Sequence, residues 1–502
     1  MSLLRGLLTT IRRHPDAVAL TVVGVVAALL RLAFLYRVPV ILTGDSQSHF
    51  LPGYDLAFGY DFEPELRRPP GYALFAAGSI LLFGEELRAL VFVQQALGVV
   101  AALLTYLLGR LTLGPVGGRI AGLAGGLLVA LNGALILSGQ SIMTETLFTA
   151  LFLGALLGLV LAARSGHWGW ALAAGLLLGA AALTRPVAQA LVVLAPLAFL
   201  LSTRKPWPIL RGSALVGIGF GLVMAPWMLR NLSEHGTLSA AGGLGRSLIA
   251  RTIKYDEGYF DAAQPAADDD LQAQVRQFIR GKRNTIRNSR SVRSTQAGLM
   301  SQFGLSQAES DRLMRQVAQA EIAKRPGYYA VGSLGMAWQI VLGKEKEDTY
   351  SDRWVMRRDK DWVEQWESRV DHLLAPSTAA EQQSVETAEW LTELFQPSSF
   401  GPILPALAGL GLLLSIVAAR PALIPGLAGL GILLASAALD GPVPRYRYPL
   451  DPLIALFTAA AVVLAGQLAL AALRRARGAH STRAEPPREH RIGAAPVAEA
   501  SR

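Results

Sequence analysis

The sequence contains no cysteine among its 502 residues. This absence excludes disulfides, thiolate nucleophiles and cysteine-based zinc or iron–sulfur sites. Charged residues are also scarce, at 17% against roughly 25% in soluble globular domains. Together with a hydrophobic content of 52%, this deficit predicts an integral membrane protein.

The net charge of +10 does not indicate nucleic-acid binding. Arginine residues fall largely at the ends of apolar runs, where basic residues set the orientation of membrane spans. Nucleic acid is therefore excluded as a partner, and membrane lipids are expected in its place.

Long apolar runs predict an all-α polytopic membrane protein with about ten transmembrane helices, since a span needs about 20 apolar residues. The first run is longer than the apolar part of a signal peptide and no small-residue cleavage site follows it, so we predict an uncleaved span. The ten ranges are 17–38, 88–109, 118–138, 145–163, 168–184, 187–202, 212–229, 400–419, 421–439 and 450–473.

Basic residues at the ends of these runs predict the orientation. On the ten-span model they all lie on one side, which is the cytoplasmic side by the positive-inside rule. The expected location is thus the cytoplasmic membrane, with both termini in the cytoplasm. The residues concerned are Arg5, Arg12, Arg13, Arg110, Arg119, Arg164, Arg204, Lys205, Arg211, Arg420, Arg474, Arg475 and Arg477.

The runs divide the chain into an N-terminal catalytic transmembrane module, 1–229, and C-terminal transmembrane helices, 398–478. We expect membrane-surface helices in the first outer loop of the module. Residues 479–502 have the composition of a disordered cytoplasmic tail.

Residues 230–397 form a polar extracytoplasmic region that we predict to be mainly helical. Within it, 327–343 is too short for a span and better suits an interfacial or re-entrant helix. Seven basic residues lie between Arg276 and Arg293. They form either a solvated helix face or a contact with anionic lipid or an anionic acceptor.

The polar residues that could take part in a reaction converge on the outer face of the ten-span model. Preorganised arginines there would stabilise charge that grows on a departing lipid phosphate, and a carboxylate would take the proton of an attacking hydroxyl. The residues are Asp45, His49, Arg67, Arg68, Tyr72, Glu145, Arg185, Arg230, Arg445, Tyr446 and Arg447.

Each residue also has a simpler interpretation. Asp45 could be a wet loop residue or a helix N-cap, and Glu145 could favour a helix N-terminus by its charge alone. Arg185 could extend towards the headgroups, as we expect of Arg31. His49 lies four residues after Asp45, so a hydrogen-bonded pair is favoured over a metal site.

The order of six short motifs resembles the membrane glycosyltransferases of the C superfamily. The bacterial branch related to protein O-mannosyltransferases and to lipid A aminoarabinose transferases is the nearest in pattern. The motifs are Asp45 in GDSQSHF, Arg68–Tyr72, Thr144–Glu145, Leu183–Pro186, the PW…RN element from Pro226 to Asn231, and Arg445, Tyr446, Pro449, Leu450 and Pro452.

The resemblance implies a role for each candidate residue. Asp45 would be the catalytic base, with Glu145 and His49 as second acidic and orienting groups. Tyr72 and Arg230 would line the substrate cleft. No cofactor is assigned, because nothing in the sequence supports a divalent metal. The residues implied to bind the donor phosphate are Arg68, Arg185, Arg445, Tyr446 and Arg447.

The resemblance also implies the reaction. It is the inverting transfer of one sugar from a polyprenyl-phosphate donor to a glycolipid, glycan or protein acceptor on the outer face of the membrane. A lipid or lipid-linked-sugar flippase is the alternative, because arginines near headgroups would also bind a phospholipid. Transporters, however, place ionisable groups at mid-membrane within repeated halves, and no repeat is visible here.

Overall fold

The computed structural model describes residues 13–38, 40–43, 45–114, 117–256, 259–260, 270–286, 289–343, 370, 373, 400–439, 441 and 443–483. Helices dominate this part of the chain, and the predicted all-α membrane architecture is confirmed. The helices are α1 Pro15–Arg37, α2 Ser46–Phe58, α3 Gly71–Phe83, α4 Leu87–Thr112, α5 Gly118–Leu131, α6 Gly133–Gln140, α7 Glu145–Ser165, α8 Trp168–Thr184, α9 Leu194–Ser202, α10 Pro206–His235, α11 Leu244–Ala250, α12 Leu271–Gly281, α13 Ser289–Phe303, α14 Gln307–Lys324, α15 Pro326–Leu342, α16 Ile403–Ala418, α17 Leu423–Leu439 and α18 Asp451–Arg483.

All ten predicted spans coincide with apolar helical segments. Among the described residues, six helices are long and apolar enough to cross a membrane, and α5 with α6 makes a seventh if this bent pair is one span. The segments at α8, Pro186–Ser202 and α16 are shorter, in the range of 10–17 residues. For these three, the crossing stays a prediction.

At one end of the bundle, the acidic residue Asp16 lies in the first turn of α1 and contacts two other helix ends. Arg110 at the end of α4 and Arg119 at the start of α5 both form ion pairs with it, at 3.2 and 2.7 Å, and Tyr106 donates a hydrogen bond to it. A carboxylate is also favoured at a helix N-terminus by the helix dipole. These three helix ends therefore lie together, as the positions of the basic residues predict.

The third span is broken at Asn132, where α5 and α6 meet at 51°. The Asn132 side chain caps α6 by accepting the Leu135 backbone N–H at 3.1 Å. Arg31 donates to the Ala130 carbonyl, at 3.3 Å, and is only 2% exposed. The expectation that Arg31 extends towards the headgroups is therefore wrong. The break leaves a carbonyl that needs a donor inside the bundle.

The described part of the region 230–397, which we call the outer region after its predicted side, is mainly helical and has a small apolar core of its own. Helices α11 to α14 bury side chains that include Ile249, Val275, Leu299 and Met314. The buried Arg276 forms an ion pair with Glu321 at 2.5 Å, so it belongs to the packing of this region rather than to a solvated basic face.

Helix α15 corresponds to the predicted short apolar helix. It packs against α17 through Met336, Ala337 and Ile340, while Val331 and Trp338 on it are exposed. Its position relative to the membrane surface stays a prediction. At the other end of the chain, α18 continues to Arg483, so the tail predicted from 479 begins as helix and 484–502 lie outside the described residues.

Candidate active site

Five charged side chains meet at the end of the bundle opposite Asp16, and we call them the charged cluster: Asp45, Arg68, Glu145, Arg185 and Arg445. Arg68 Nη2 lies 2.5 Å from Asp45 Oδ1, and Arg445 Nη2 lies 2.9 Å from Asp45 Oδ2. On the other side, Arg185 Nη1 and Arg445 Nε lie 3.1 and 3.7 Å from Glu145 Oε1. Arg445 therefore joins the two carboxylates.

The charges in this cluster do not cancel. Three guanidiniums face two carboxylates, which leaves one net positive charge. The side chain of Glu145 is 3% exposed, whereas those of Asp45 and Arg445 are 29% and 33% exposed. The open side of the cluster is thus formed by Asp45 and Arg445, and an anion of charge −1 would balance it.

Asp45 occupies the N-cap position of α2, but its carboxylate makes no cap hydrogen bond. Hydroxyls hold its backbone instead: the Asp45 N–H donates to Thr43 Oγ1 at 3.3 Å, and Ser48 Oγ donates to the Asp45 carbonyl at 2.9 Å. The carboxylate is left to face Arg68 and Arg445. A cap role alone does not account for this residue.

A short backbone pairing brings the loops of Asp45 and Glu145 together. Ile41 N–H donates to the Gln140 carbonyl at 3.0 Å, and Ile142 N–H donates to the Ile41 carbonyl at 3.1 Å. These bonds form an isolated parallel bridge between Ile41 and Ser141. Because each carboxylate follows the bridge by only four residues, the two loops must place their acids side by side.

Gln94 of α4 supports the same region, and sequence reasoning missed it. Its amide nitrogen donates to the Gly139 and Ser141 carbonyls at 3.0 and 2.8 Å, and its oxygen accepts the Tyr72 hydroxyl at 2.7 Å. Tyr72 in turn packs edge-on against His49. Two adjacent glutamines inside an apolar span, in VQQAL, were the available signal.

A glycine brings the RPPGY motif against the turn that carries Arg185. A Cβ at Gly71 would lie 2.6 Å from the backbone carbonyl of Leu183, so only glycine permits this approach of α3 to the end of α8. Arg185 then extends past two aromatic rings, with its Cζ 5.1 Å from the Tyr446 centroid and 5.8 Å from that of Phe148. Such stacking fixes the plane of the guanidinium.

The neighbours of Asp45 keep it ionised. Burial opposes the charge, but Arg68 and Arg445 outweigh it and hold the pKa of the Asp45 carboxyl well below its usual range. Asp45 and Glu145 likewise raise the pKa of Arg445 against the effect of burial. In this arrangement Asp45 is a weak proton acceptor, because two cations stabilise its ionised form.

His49 acts on Asp45 through Arg68 rather than by the expected direct pair. Arg68 Nη1 lies 2.9 Å from His49 Nε2, and a guanidinium can only donate, so Nε2 accepts. Burial and the Arg68 charge lower the pKa of His49 well below its ordinary value, which keeps the ring neutral. Arg68 was predicted to bind phosphate, yet both of its terminal nitrogens are directed to Asp45 and His49.

Residues 67–229 match the family model described as dolichyl-phosphate-mannose-protein mannosyltransferase. This range contains Arg68, Tyr72, Glu145 and Arg185, which carry three of the six motifs. The match covers about a third of the chain, and over this range the chain is similar to that family.

Two solved structures show distant similarity to the chain. The archaeal oligosaccharyltransferase AglB from Archaeoglobus fulgidus, in complex with an inhibitory peptide and a dolichol-phosphate, is 12% identical, with a TM-score of 0.46 over 95% of this chain and 53% of its own. ArnT from Cupriavidus metallidurans, bound to undecaprenyl phosphate, is 14% identical, with a TM-score of 0.39 over 88% of this chain and 77% of its own. The chain thus spans about half the length of AglB. No curated protein sequence matches it.

Two residues implied by the glycosyltransferase resemblance lie apart from the charged cluster. Arg447 is buried and forms an ion pair with Asp451 at 2.7 Å, so it faces the start of α18. Arg230 pairs with Glu234 one turn further along α10 and stacks on Trp227. Within the described parts of the chain, no three His, Cys, Asp or Glu side chains are grouped so that they could hold a metal ion.

The pH dependence of activity should report the field of Arg68 on Asp45. If Asp45 must be ionised, activity is lost as pH falls through its pKa, which the cations depress. Arg68→Gln removes the strongest of these cations, so the pKa rises and the acid limb of the rate profile moves to higher pH. The measurement is kcat/KM against pH, with Lys282→Gln as the charge-matched control. An unmoved acid limb would show that this limb does not report Asp45.

Proposed function

We propose that the protein transfers a single sugar from a polyprenyl-phosphate donor to an acceptor hydroxyl, with inversion at the anomeric carbon. The observation that carries this proposal is the position of Arg445 between two carboxylates, 2.9 Å from Asp45 Oδ2 and 3.7 Å from Glu145 Oε1. This arrangement supports the proposal, because a single displacement needs a base and a phosphate-binding cation at one point.

The net positive charge of the cluster suits the donor. A sugar phosphodiester carries one negative charge, and its phosphate gains charge as the bond to the anomeric carbon breaks. Arg185 and Arg445 offer planar donors that match phosphate oxygens, and Glu145 and Tyr446 fix their orientation. Preorganised hydrogen-bond donors of this kind stabilise the transition state more than they stabilise the bound sugar donor.

Asp45 supplies the base. As the acceptor oxygen bonds to the anomeric carbon, its proton passes to the Asp45 carboxylate and the electron pair of the broken bond remains on the lipid phosphate. Ser48 and Thr43 fix the backbone that carries this carboxylate. One displacement without a covalent sugar–enzyme intermediate gives inversion.

Donor binding would also activate the base. In the absence of donor, Arg445 shares its charge between Asp45 and Glu145. A phosphate that takes the Arg445 guanidinium away from Asp45 removes one of the two cations that depress the pKa of the carboxyl. Asp45 then becomes a stronger proton acceptor only when a donor is present, which limits wasteful hydrolysis.

We place the charged cluster on the outer side of the membrane, because the basic ends gathered near Asp16 lie at the opposite end of the bundle. Both parts of the proposal are tested with purified protein in vesicles sealed in the right-side-out orientation. Polyprenyl-phosphate sugars are supplied in the lipid, and impermeant acceptors are added outside. We expect a glycosylated product in the outer medium.

The same assay separates the proposal from the flippase alternative. A flippase would move labelled lipid between leaflets and give no glycosylated product with any donor or acceptor in a broad panel. Product formed only when the acceptor is sealed inside would support sugar transfer. It would also show that the charged cluster faces the cytoplasmic side, contrary to our proposal.

A further inference from the structure

Three arginines from three separate segments lie near one another beside the charged cluster, and we call them the arginine patch: Arg67, Arg246 and Arg293. Arg246 Nη1 lies 3.4 Å from Gln296 Oε1, which stands one turn after Arg293 on α13. The Gly242 backbone N–H donates to the Leu66 carbonyl at 2.8 Å, and a Cβ at Gly243 would lie 3.3 Å from the Cβ of Arg67. This contact docks the start of α11 on the first outer loop. Arg246 follows within one turn of α11.

The three guanidiniums repel one another. Burial, then the charges of Arg67 and Arg293, lower the pKa of Arg246 to about 10. Arg293 also acts on Glu65, together with Arg67 and Arg68. The patch is thus a region where like charges have been brought within electrostatic range, which disfavours folding unless something else compensates.

The described residues provide little compensation. Glu65 pairs with Arg67 at 2.5 Å, but no carboxylate of the described residues forms an ion pair with Arg246 or Arg293. The Arg246 side chain makes one long contact, 3.4 Å to Gln296 Oε1, and Asp311 is used by the Arg246 backbone N–H. Arg293 is exposed. Two guanidiniums therefore have their donors available to a ligand.

Contacts that involve no charged group also dock the outer region. Backbone contact at Gly242 holds α11 to the first loop, and Gly245 lets α11 approach α14 so closely that a Cβ there would lie 2.1 Å from the Asp311 carbonyl. An ordinary structural role would be served as well by neutral side chains. The repulsion is explained if an anion completes the patch.

The position of the patch indicates what the anion belongs to. Arg67 and Arg68 are consecutive, so their Cα atoms are about 3.8 Å apart, and Arg68 contacts Asp45 directly. A molecule held by the patch would reach Asp45 from the outer side. The donor phosphate is expected at Arg185 and Arg445, on the opposite side of Asp45, which leaves the patch for the acceptor.

We propose that Arg67, Arg246 and Arg293 bind a phosphate group of the acceptor, and that the outer region thereby selects a phosphate-bearing acceptor. The assignment of the phosphate to the acceptor rests on the proposed function, whereas phosphate binding at the patch is tested independently of that function. Arginine forks match phosphate oxygens in pairs, and a phosphate monoester would offset the charge of the two unpaired guanidiniums.

The test measures binding to the full chain in nanodiscs made of uncharged lipid. One arm adds glucose 6-phosphate, with glucose as its uncharged partner; the other includes phosphatidic acid in the disc, with diacylglycerol as its partner. We expect the phosphate form to bind in at least one arm, and the arm identifies a soluble or a lipid source. Arg246→Gln combined with Arg293→Gln should weaken binding about 10- to 100-fold.

Three controls make the result specific. Arg283→Gln removes the same charge from an exposed position of the outer region, outside the patch, and should leave binding unchanged. Arg246→Lys with Arg293→Lys should restore part of the affinity, because charge is kept without the fork. Saturating polyprenyl phosphate in the disc, which would occupy the donor site, should leave the binding of glucose 6-phosphate nearly unchanged and so separates the patch from the donor site. Unchanged thermal unfolding of each variant verifies the fold.

Several results would overturn the inference: no phosphate binding in either arm, wild-type affinity in the double glutamine variant, or loss of glucose 6-phosphate binding when polyprenyl phosphate fills the donor site. These outcomes are independent of the proposed reaction. Phosphate binding by an unmodified protein that transfers no sugar would refute the function but not the patch. Sugar transfer without any phosphate binding would refute the patch but not the function.

Discussion

Asp45→Asn should reduce turnover about 10²–10⁴-fold, the usual contribution of a positioned general base. Asparagine has nearly the size of aspartate and keeps one oxygen that can accept from Arg68 or Arg445. It cannot take a proton from the acceptor. Because the substitution frees Arg445 and adds one net positive charge, the affinity for the donor should be unchanged or somewhat higher.

The measurement compares kcat and donor affinity in the reconstituted transfer assay. Asp61→Asn is the matched control, since Asp61 is an exposed aspartate of the same loop. His49→Ala should have a smaller effect than Asp45→Asn, because His49 reaches Asp45 only through Arg68. If Asp45→Asn transfers sugar at near-normal rates while Glu145→Gln is inactive, the base is Glu145.

Arg185→Lys and Arg445→Lys should each lower turnover about 10²–10³-fold, the effect seen when one preorganised donor is lost from an oxyanion site. Lysine keeps the charge but lacks the planar fork. At position 185 it also loses the stacking on Tyr446, and at 445 it cannot contact Asp45 and Glu145 together as the guanidinium does. A change of Arg to Lys is therefore damaging here.

The division of the loss between kcat and donor affinity is the informative part. Charge on the leaving phosphate grows during the reaction. Loss of the guanidinium hydrogen bonds should therefore lower kcat more than it lowers the affinity for the sugar donor. Arg37→Lys, at the exposed last residue of α1, is the matched control. Weakened donor binding with an unchanged kcat would mean that these arginines only hold the lipid.

The sequence predicted much of the charged cluster because its motifs are short and local. Asp45, Glu145, Arg185 and Arg445 each stand near the outer end of a predicted span, and Arg68 lies in the first outer loop. The predicted topology alone brings these positions to one face. Which of them pair could not be predicted. The pairing depends on the bridge at Ile41 and on the approach of α3 that Gly71 permits, both of which join segments distant in sequence.

Physical reasons explain why the sequence did not predict the positions of Arg31, Arg447 and Arg230. Arg31 is buried because the helix break at Asn132 exposes a carbonyl that it satisfies, and a break inside an apolar run has no strong signal. The pairing of Arg447 with Asp451 was foreseeable from their spacing of four on the turn that enters α18. Arg230 was grouped with the site by its motif, although the same motif serves to hold the 239–240 loop through Trp227 and Asn231.

The central claim is that a lipid phosphate replaces Asp45 as the partner of the Arg445 guanidinium. A structure with bound polyprenyl phosphate tests this claim most directly. The account predicts the phosphate within hydrogen-bond distance of Arg185 and Arg445, with the Arg445–Asp45 contact of 2.9 Å opened and Asp45 still held by Arg68. A phosphate bound elsewhere, with the Arg445–Asp45 pair intact, would contradict it.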